Sequence, residues 1–332
     1  MISSTTVKGA ISDAVESGAP VELDRYEGTT SVVNELCLFL KPEITSLPAS
    51  NFDKILNLLL TALDEYGLEI AGAFVIPGAC LASHSVMRSH YGVIDKVSRE
   101  GASALNVDAL ENLYAQAPEK GRDAELLGGH QFLESHPSFT GEALTVLYEN
   151  STSYRAAGGV HCGWIKYRGR LTGILNGFHP DQVDRYEDSE SAILMLVLRG
   201  QTDWASLRRN MVGATNPAVA EPGSLRRTIF DNAEALGLHY FNPSLNGVHL
   251  SAGPVEGMAE IVRFVALTRS KFAAEDTSFG KLLLKAGSNV DQLHALVSDA
   301  IIDTVDGPVN IYDITEEKDA AEALNDVIKI EN

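Results

Sequence analysis

The chain has 332 residues with an apolar content of 45%, which is enough for a folded core and more than one typical domain requires. Its 26 basic residues against 45 acidic residues give a net charge of −19, which disfavours general binding to nucleic acid because long-range repulsion opposes polyanions. The three cysteines are widely spaced, which predicts a protein without disulfides or a zinc site. The amino terminus lacks a basic and apolar leader and the apolar runs are short, which predicts a cytoplasmic protein without membrane contact.

The amino-terminal part of the sequence predicts a strand, a helix and a second strand. Residues 1–30 are polar without clear periodicity and predict a loosely held arm. Order is expected to begin with a strand over residues 35–40. Apolar residues then recur at helical spacing over residues 52–63, and a glycine ends that helix before a strand over residues 68–76.

Two polar stretches interrupt the middle of the chain. The first, about 92–129, predicts an insertion with one short helix over residues 108–115. A helix over residues 137–148 separates it from a second insertion, about 151–189, which carries basic and aromatic residues. Two interpretations of the second insertion stay open: a surface that touches a phosphorylated ligand or partner, or an exposed β-hairpin that turns at Gly169.

The carboxyl-terminal part begins with the most apolar segment of the chain. Residues 192–198 are nearly all apolar, as expected for a central strand covered on both faces. The spacing of apolar and turn residues then predicts these further elements: a short helix over residues 204–211, a strand over 246–250, a helix from Pro254, a helix over 288–302, a strand over 309–314 and a helix over 316–328. This order indicates an α+β sandwich.

The loop from Arg209 to Arg226 is the most informative segment for function. It is rich in Thr, Asn, Pro and Gly, and a compact domain rarely keeps so long an irregular loop unless the loop binds something. Arginine offers paired, permanently charged donors that match phosphate oxygens. Lys41 directly follows the first strand and is expected to project from the sheet edge. These cations predict a polyphosphate site.

His249 is the candidate nucleophile. It lies in the short strand that begins at Asn246, and Glu260 follows eleven residues later on the next helix. An imidazole with a pKa of about 6.5 is largely neutral at cytoplasmic pH and keeps a lone pair that can attack phosphorus. Glu260 could fix the orientation or tautomer of the ring. The alternatives are a structural histidine and a turn role for Asn246 and Thr215.

Three segments in this order carry a resemblance to the nucleoside diphosphate kinase family. Lys41-Pro42-Glu43 matches the family's Lys-Pro-Asp, and the loop matches its Arg-x-x-aliphatic-Gly-x-Thr-Asn-Pro, with Arg226 eleven positions after Thr215. The spacing of Asn246, His249 and Glu260 matches a third motif. The chain therefore resembles a divergent, enlarged family member over about half its length, in pieces.

The resemblance implies a fold and a reaction. The fold is a ferredoxin-like βαββαβ sandwich over residues 31–268, with both insertions inside it and an α/β extension over residues 269–332. The reaction takes the γ-phosphoryl group of ATP, bound with Mg²⁺, through a phosphohistidine at His249 to a nucleoside diphosphate, with no metal ligand assigned to the protein and possible homo-oligomers. The implied catalytic residues are His249, Glu260 and Lys41, and the implied nucleotide-binding residues are Lys41, Phe139, Arg209, Thr215, Arg226 and Asn246.

The sequence also departs from the family pattern. Where the family reads Gly-Ser-Asp-Ser after the histidine, this chain reads Leu-Ser-Ala-Gly over residues 250–253. The family's active-site tyrosine has no clear match, and His130 or Gln131 falls near its position. Two alternatives therefore stay open: the same phosphohistidine chemistry on a specialised phosphorylated acceptor, and a weakly active module for nucleotide sensing or assembly.

Overall fold

The computed structural model of the chain describes residues 2–118, 124–298, 301–304 and 307–331. The chain divides into two compact units. Unit 1 comprises Met1–Ser83 and Ser189–Asn332, and unit 2 comprises His84–Asp188. Residues 92–129 and nearly all of 151–189, the two stretches interpreted as insertions, belong to unit 2 together with residues 130–150 between them. None of the helices in the described ranges is long and apolar enough to span a bilayer.

The first segment of unit 1 contains four helices and three strands. In chain order they are α1 (Ser4–Ser17), β1 (Val21–Asp24), β2 (Asn34–Leu40), α2 (Pro42–Thr45), α3 (Ala49–Glu65), β3 (Glu69–Pro77) and α4 (Gly78–Ser83). The predicted strands over residues 35–40 and 68–76 and the helix over 52–63 are confirmed, with the helix extended at both ends.

Unit 2 has its own sheet, framed by short helices. In chain order its elements are α5 (Val86–His90), α6 (Gly92–Glu100), a 3-10 turn (Gly101–Ala104), α7 (Val107–Gln116), β4 (Glu125–Gly128), α8 (Gly129–Ser135), α9 (Gly141–Glu149), β5 (Thr152–Ala157), β6 (Val160–Tyr167), β7 (Arg170–Leu175) and α10 (His179–Glu187). β4 pairs in parallel with β7, and β7, β6 and β5 form an antiparallel series. The hairpin predicted to turn at Gly169 is confirmed, since β6 and β7 pair from Cys162 opposite Leu175 to Tyr167 opposite Arg170. Its predicted exposure is wrong, because most residues of both strands are buried.

The second segment of unit 1 completes the main sheet and adds a helical extension. In chain order its elements are β8 (Ala192–Gly200), α11 (Trp204–Ser206), a π-helical turn (Leu207–Val212), a 3-10 turn (Pro217–Val219), α12 (Leu225–Asp231), β9 (Val248–Leu250), α13 (Pro254–Val265), a 3-10 turn (Ala274–Asp276), α14 (Ser278–Ala286), α15 (Val290–Ser298), β10 (Ile301–Thr304), β11 (Gly307–Asn310), α16 (Ile311–Thr315) and α17 (Ala320–Glu331).

The main sheet has the ferredoxin-like order predicted from the sequence. Its five strands lie in the order β1-β3-β8-β2-β9, and every neighbouring pair is antiparallel. After the edge strand β1, the sheet continues as β3-β8-β2-β9. In chain order, these are the second, third, first and fourth of the four strands. The connections around α3 and α12 complete a βαββαβ unit, so the predicted α+β class and sheet topology are confirmed.

Alternation along β2 separates the two faces of the sheet. Leu36, Leu38 and Leu40 belong to a core cluster that also contains residues of α1 and α3. Because successive side chains of a strand point to opposite faces, Phe39 lies on the other face, where α13 packs against β2 and Phe264 contacts Phe39 edge to face. β9 pairs with β2 so that His249 lies opposite Phe39. This register places His249 on the face covered by α13.

The amino-terminal segment is more ordered than predicted. In place of a loosely held arm over residues 1–30, α1 buries Val7, Ala10 and Ala14 against the main core, and β1 pairs with β3 to form one edge of the main sheet. The Lys8 ammonium also donates hydrogen bonds to the backbone carbonyls of Thr45, the last residue of α2, and of Leu47. Two of these three buried positions are alanines, so the apolar periodicity of the helix was too weak to predict it.

The packing of α1 predicts a measurable stability effect. Val7→Ala is expected to lower the free energy of unfolding by about 2 kcal/mol, because it removes two methyl groups from a fully buried site and leaves a cavity. Glu16→Ala, on the exposed side of the same helix, serves as the control and is expected to change it by less than about 0.5 kcal/mol. Urea unfolding measures both. Equal changes in the free energy of unfolding for the two substitutions would show that burial of Val7 does not stabilise the protein.

The carboxyl-terminal extension forms a second core on α13. Its cluster combines Val255 and Met258 of α13 with residues of α14, α15, α16 and α17. The predicted strand over residues 309–314 is wrong at its carboxyl-terminal part: β11 ends at Asn310, whose side chain accepts a hydrogen bond from the backbone N–H of Tyr312 at 3.0 Å and caps α16. The predicted helix over 288–302 is shorter as α15, residues 299–300 lie outside the described ranges, and Ile301 begins β10.

Candidate active site

In unit 1, the face of the His249 ring stacks on an aromatic ring and its Nε2 lies beside a carboxyl group. Its ring stacks on Phe39 with centroids 4.4 Å apart and an interplanar angle of 16°. Its Nε2 lies 2.9 Å from Oε1 of Glu260, which projects from α13 and is 1% exposed. Burial lowers the pKa of His249 well below its ordinary value, and the charges of Lys41 and Arg226 lower it further. The imidazole is therefore neutral near pH 7.

Glu260 is a buried carboxyl group with an unusual protonation equilibrium. Burial raises the pKa of Glu260 to about 8, opposed by the positive charge of Arg263 one turn later on α13. The thiol of Cys37 also hydrogen-bonds with this carboxyl group. The hydrogen bond between His249 and Glu260 can therefore exist with Glu260 either ionised or protonated near neutral pH, and the two states leave different nitrogens of the ring protonated.

Lys41 lies where β2 ends and α2 begins. Pro42 starts α2 at a position where its missing N–H costs nothing, and this ends the strand at the residue before Lys41. The Lys41 backbone N–H donates to the carbonyl of Gly247 at 2.9 Å, and its Nζ donates to the carbonyl of Ser244 at 3.4 Å. Burial lowers the pKa of Lys41 to about 8, with Glu43 opposing and Arg226 adding to the shift.

Glu43 and Gly247 fix the start of the strand that carries His249. The Gly247 N–H donates to Oε1 of Glu43 at 2.9 Å. Gly247 has φ of +76°, and a Cβ there would lie 3.0 Å from the side chain of Ile44. Both the backbone conformation and the close approach favour glycine. The Lys41-Pro42-Glu43 motif thus contributes a cation and also positions β9.

Arg226 connects the long loop to β9. Its Nη1 donates to the carbonyl of Gly213 and its Nη2 donates to the carbonyl of Val248, each at 2.7 Å. These bonds hold the loop beside the strand of His249, and the guanidinium charge lowers the pKa of both His249 and Lys41. The structure therefore gives Arg226 a positioning role within the chain in addition to its charge at the site.

Asn246 brings a further part of the loop to the site. Its Nδ2 donates to the carbonyls of Thr215 and Pro243, both at 3.1 Å. Its Oδ1 is buried and has no hydrogen-bond partner among the residues that the structure describes. Such an acceptor costs free energy unless a donor reaches it. Thr215 takes part through its backbone carbonyl, whereas its side chain is exposed.

The structure places Arg208, rather than Arg209, where its charge acts on His249. Arg209 is exposed, and the described contacts do not bring it to the other site residues. The charge of Arg208 lowers the pKa of His249, and the π-helical turn that contains both arginines contacts β9. Both arginines belong to the π-helical turn over Leu207–Val212, and the assignment of Arg209 to nucleotide binding stays a prediction.

Phe139 belongs to unit 2 and has partners there. Its ring meets the rings of Phe132 and Tyr167 edge to face, with centroids 5.3 and 5.6 Å apart. The two residues near the position of the family's tyrosine are also engaged within unit 2. Nδ1 of His130 lies 2.8 Å from Oγ of Ser98, and Oε1 of Gln131 accepts from the backbone of Gly128 at 3.0 Å.

The oxygen atoms beside His249 do not form a ready-made metal site in unit 1. Mg²⁺ prefers six oxygen ligands, but Oε1 of Glu260 is bonded to His249 and Oε1 of Glu43 accepts from Gly247. The charges of Lys41, Arg226 and Arg208 that act on His249 also repel a bare cation. These carboxylate oxygens of unit 1 therefore do not by themselves supply the six ligands of Mg²⁺.

Curated proteins similar to this chain are nucleoside diphosphate kinases. Those of Rickettsia rickettsii (strain Sheila Smith), Rickettsia peacockii (strain Rustic) and Rickettsia conorii (strain ATCC VR-613 / Malish 7) are each 39% identical to it over 51 residues. That stretch is 15% of this chain and 36% of each relative. The chain is thus similar to nucleoside diphosphate kinases over part of its length, and it spans about a third of these curated relatives.

A comparison with solved structures also finds an NDP kinase. The enzyme from Pyrobaculum aerophilum matches with a TM-score of 0.34 and 16% sequence identity, over 74% of this chain and 98% of that chain. No family model matches the sequence.

Proposed function

We propose that the protein is a nucleotide phosphotransferase in which His249 takes the γ-phosphoryl group of a nucleoside triphosphate and passes it to a nucleoside diphosphate. One observation carries the proposal: a neutral imidazole has its Nε2 within 2.9 Å of a buried carboxyl group while cationic side chains act on the same ring. Neutrality makes the ring a nucleophile, and the cations suit a transferring group that carries negative charge.

In this proposal the two ring nitrogens of His249 have different tasks. When Glu260 is ionised, it accepts a hydrogen bond from Nε2–H, so Nδ1 carries the lone pair. Nδ1 attacks the γ-phosphorus, an N–P bond forms, and the bond from phosphorus to the β–γ bridging oxygen breaks with its electron pair leaving on the diphosphate. The positive charge that develops on the ring is stabilised by Glu260. A second nucleoside diphosphate then reverses these steps and restores the neutral histidine.

The neighbouring cations supply the electrostatic part of this proposal. Lys41 has its pKa lowered to about 8 by burial, and a bound phosphate group would favour the charged ammonium. Arg226 adds a permanent charge. Together they would neutralise the oxygens of the transferring group, which is where most of the catalysis of phosphoryl transfer arises.

Asn246 offers a contact for another part of the nucleotide. Its buried Oδ1 is an acceptor for a hydroxyl group of the ligand, while its Nδ2 keeps Thr215 in place. Mg²⁺ would enter on the nucleotide and neutralise charge on the β- and γ-phosphates. In this proposal the protein residues act on the nucleotide, and none of them is assigned as a ligand of the ion.

Incubation of the protein with γ-labelled ATP and Mg²⁺ tests the function. The expected result is label on the protein that is lost in acid and stable in base, as a phosphohistidine is, and that unlabelled nucleoside diphosphates remove. A panel of diphosphates and other phosphorylated acceptors then identifies the acceptor. Binding of ATP without any label would overturn the proposed transfer.

One observation favours a second candidate, a nucleotide-sensing or assembly module. The Arg226 side chain donates to the backbone carbonyls of Gly213 and Val248, as in a residue that supports a binding loop. The same labelling experiment separates the two functions, because a sensor binds ATP and stays unlabelled.

A further inference from the structure

The carboxyl-terminal extension places two carboxylates on the arginine beside the candidate site. Nη1 of Arg208 lies 2.5 Å from Oε1 of Glu316 and 3.2 Å from Oε1 of Glu317. The Arg208 side chain is 28% exposed, and the two glutamates are 45% and 43% exposed. We name Glu316 and Glu317 the carboxylate pair. Solvent reaches all three side chains, so an incoming anion could compete for the arginine.

The loop that carries the carboxylate pair is fixed to the chain that follows His249. The Glu317 N–H donates to the carbonyl of Ala252 at 2.9 Å. A Cβ on Gly253 would lie 2.2 Å from the carbonyl oxygen of Thr315, so this close approach requires glycine. The residues after His249 that differ from the family pattern are thus the ones that receive this loop.

A second set of hydrogen bonds ties the same loop to the helix that leads to Arg208. Oδ1 of Asp319 accepts from the backbone N–H of Trp204 at 2.9 Å and from Nδ2 of Asn34 at 2.7 Å. The Ala320 N–H donates to Oδ1 of Asn34 at 2.8 Å. The carboxylate pair is therefore held at Arg208 by backbone and side-chain contacts on both sides of the loop.

Arg208 is electrostatically part of the candidate site. Its charge lowers the pKa of His249, and it opposes the rise in the pKa of the buried Glu256, whereas Glu316 adds to that rise. A carboxylate and a terminal phosphate both carry oxygen atoms that can accept two hydrogen bonds from one guanidinium. The pair thus occupies the donors that a polyphosphate would use.

We propose that Glu316 and Glu317 stand in for phosphate at Arg208, and that the terminal phosphates of a bound nucleoside triphosphate displace them. This proposal rests on the proposed function and adds Arg208 as a phosphate-binding residue. It makes the carboxylate pair an intramolecular competitor that sets the affinity for the nucleotide. When the nucleotide leaves, the carboxylates return to Arg208.

A double-mutant cycle tests the competition. Glu316→Gln with Glu317→Gln is expected to tighten binding of a non-hydrolysable ATP analogue and lower KM for ATP by about fivefold, with kcat changed less than about twofold. In an Arg208→Gln background the same two substitutions are expected to have no effect on affinity. A purely structural role of the loop would not depend on Arg208 in this way.

A matched control removes the same charge elsewhere in unit 1. Asp231 pairs with Arg227 on α12, and Glu234 is exposed nearby in the sequence. Asp231→Asn with Glu234→Gln is expected to leave KM within about 1.5-fold, since exposed charges away from the ligand are screened. Thermal unfolding of each variant checks that the fold is kept.

The outcomes separate this proposal from the proposed function. If the analogue binds the unsubstituted protein and the carboxylate-pair variant equally well, or if the control variant gains the same affinity, the competition is overturned while the phosphotransfer stands. If the unsubstituted protein binds neither ATP nor its analogue, the proposed function fails and the competition fails with it.

Discussion

His249→Ala is expected to abolish labelling of the protein by γ-labelled ATP and to lower the rate of phosphoryl transfer by roughly 10⁴-fold or more, because the substitution removes the only group to which the proposed reaction assigns the covalent intermediate. Binding of ATP is expected to persist, since Lys41, Arg226 and Asn246 remain in place. The measurement compares acid-labile label per protein and the dissociation constant for ATP in the two proteins.

Two further variants make this result specific. His239 is exposed in unit 1, and His239→Ala is expected to label like the parent protein. His249→Gln keeps a polar side chain near Phe39 and Glu260, so it is expected to stay folded and remain unlabelled. Acid-labile label on His249→Gln, or its loss from His239→Ala, would contradict the assignment.

The central strands were predictable because burial on both faces leaves a continuous apolar run. The run over residues 192–198 became β8, whose first seven residues are buried, and residues 35–40 became β2 with one further residue at its start. The site motifs were predictable in the same local sense: Lys41 and Pro42 mark a strand end, and Glu260 lies within hydrogen-bond distance of His249. These features depend on short stretches of sequence or on fixed spacing.

Other features depend on contacts that the local sequence does not contain. α1 is stabilised by packing of small side chains against a distant sheet, so its own pattern was weak. The ion pair of Arg208 with Glu316 joins the π-helical turn to a distant part of the chain, and the motifs drew attention to its neighbour Arg209 instead. The partners of Arg208 lie more than a hundred residues later, on an extension whose role the motifs did not address.

The catalytic rate is expected to rise with pH through the pKa of Glu260, which burial raises to about 8. Below that pKa Glu260 is protonated and donates to Nε2, so the proton of the neutral imidazole lies on Nδ1 and no lone pair faces phosphorus. Above it Glu260 accepts from Nε2–H and Nδ1 can attack. Lys41 titrates in the same range in the free protein, but bound phosphate favours its charged form, so kcat rather than kcat/KM isolates the carboxyl group.

Glu260→Gln supplies the decisive comparison, since its amide oxygen can still accept from Nε2–H but cannot titrate. We expect kcat to fall by roughly 10²-fold, as charge stabilisation of the ring is lost, and to become independent of pH between about 6.5 and 9. Glu256 is the matched control, because burial raises its pKa to about 8 as well. Glu256→Gln should keep the rise of kcat with pH. If the rise vanishes in Glu256→Gln and persists in Glu260→Gln, then Glu260 does not set the tautomer of His249.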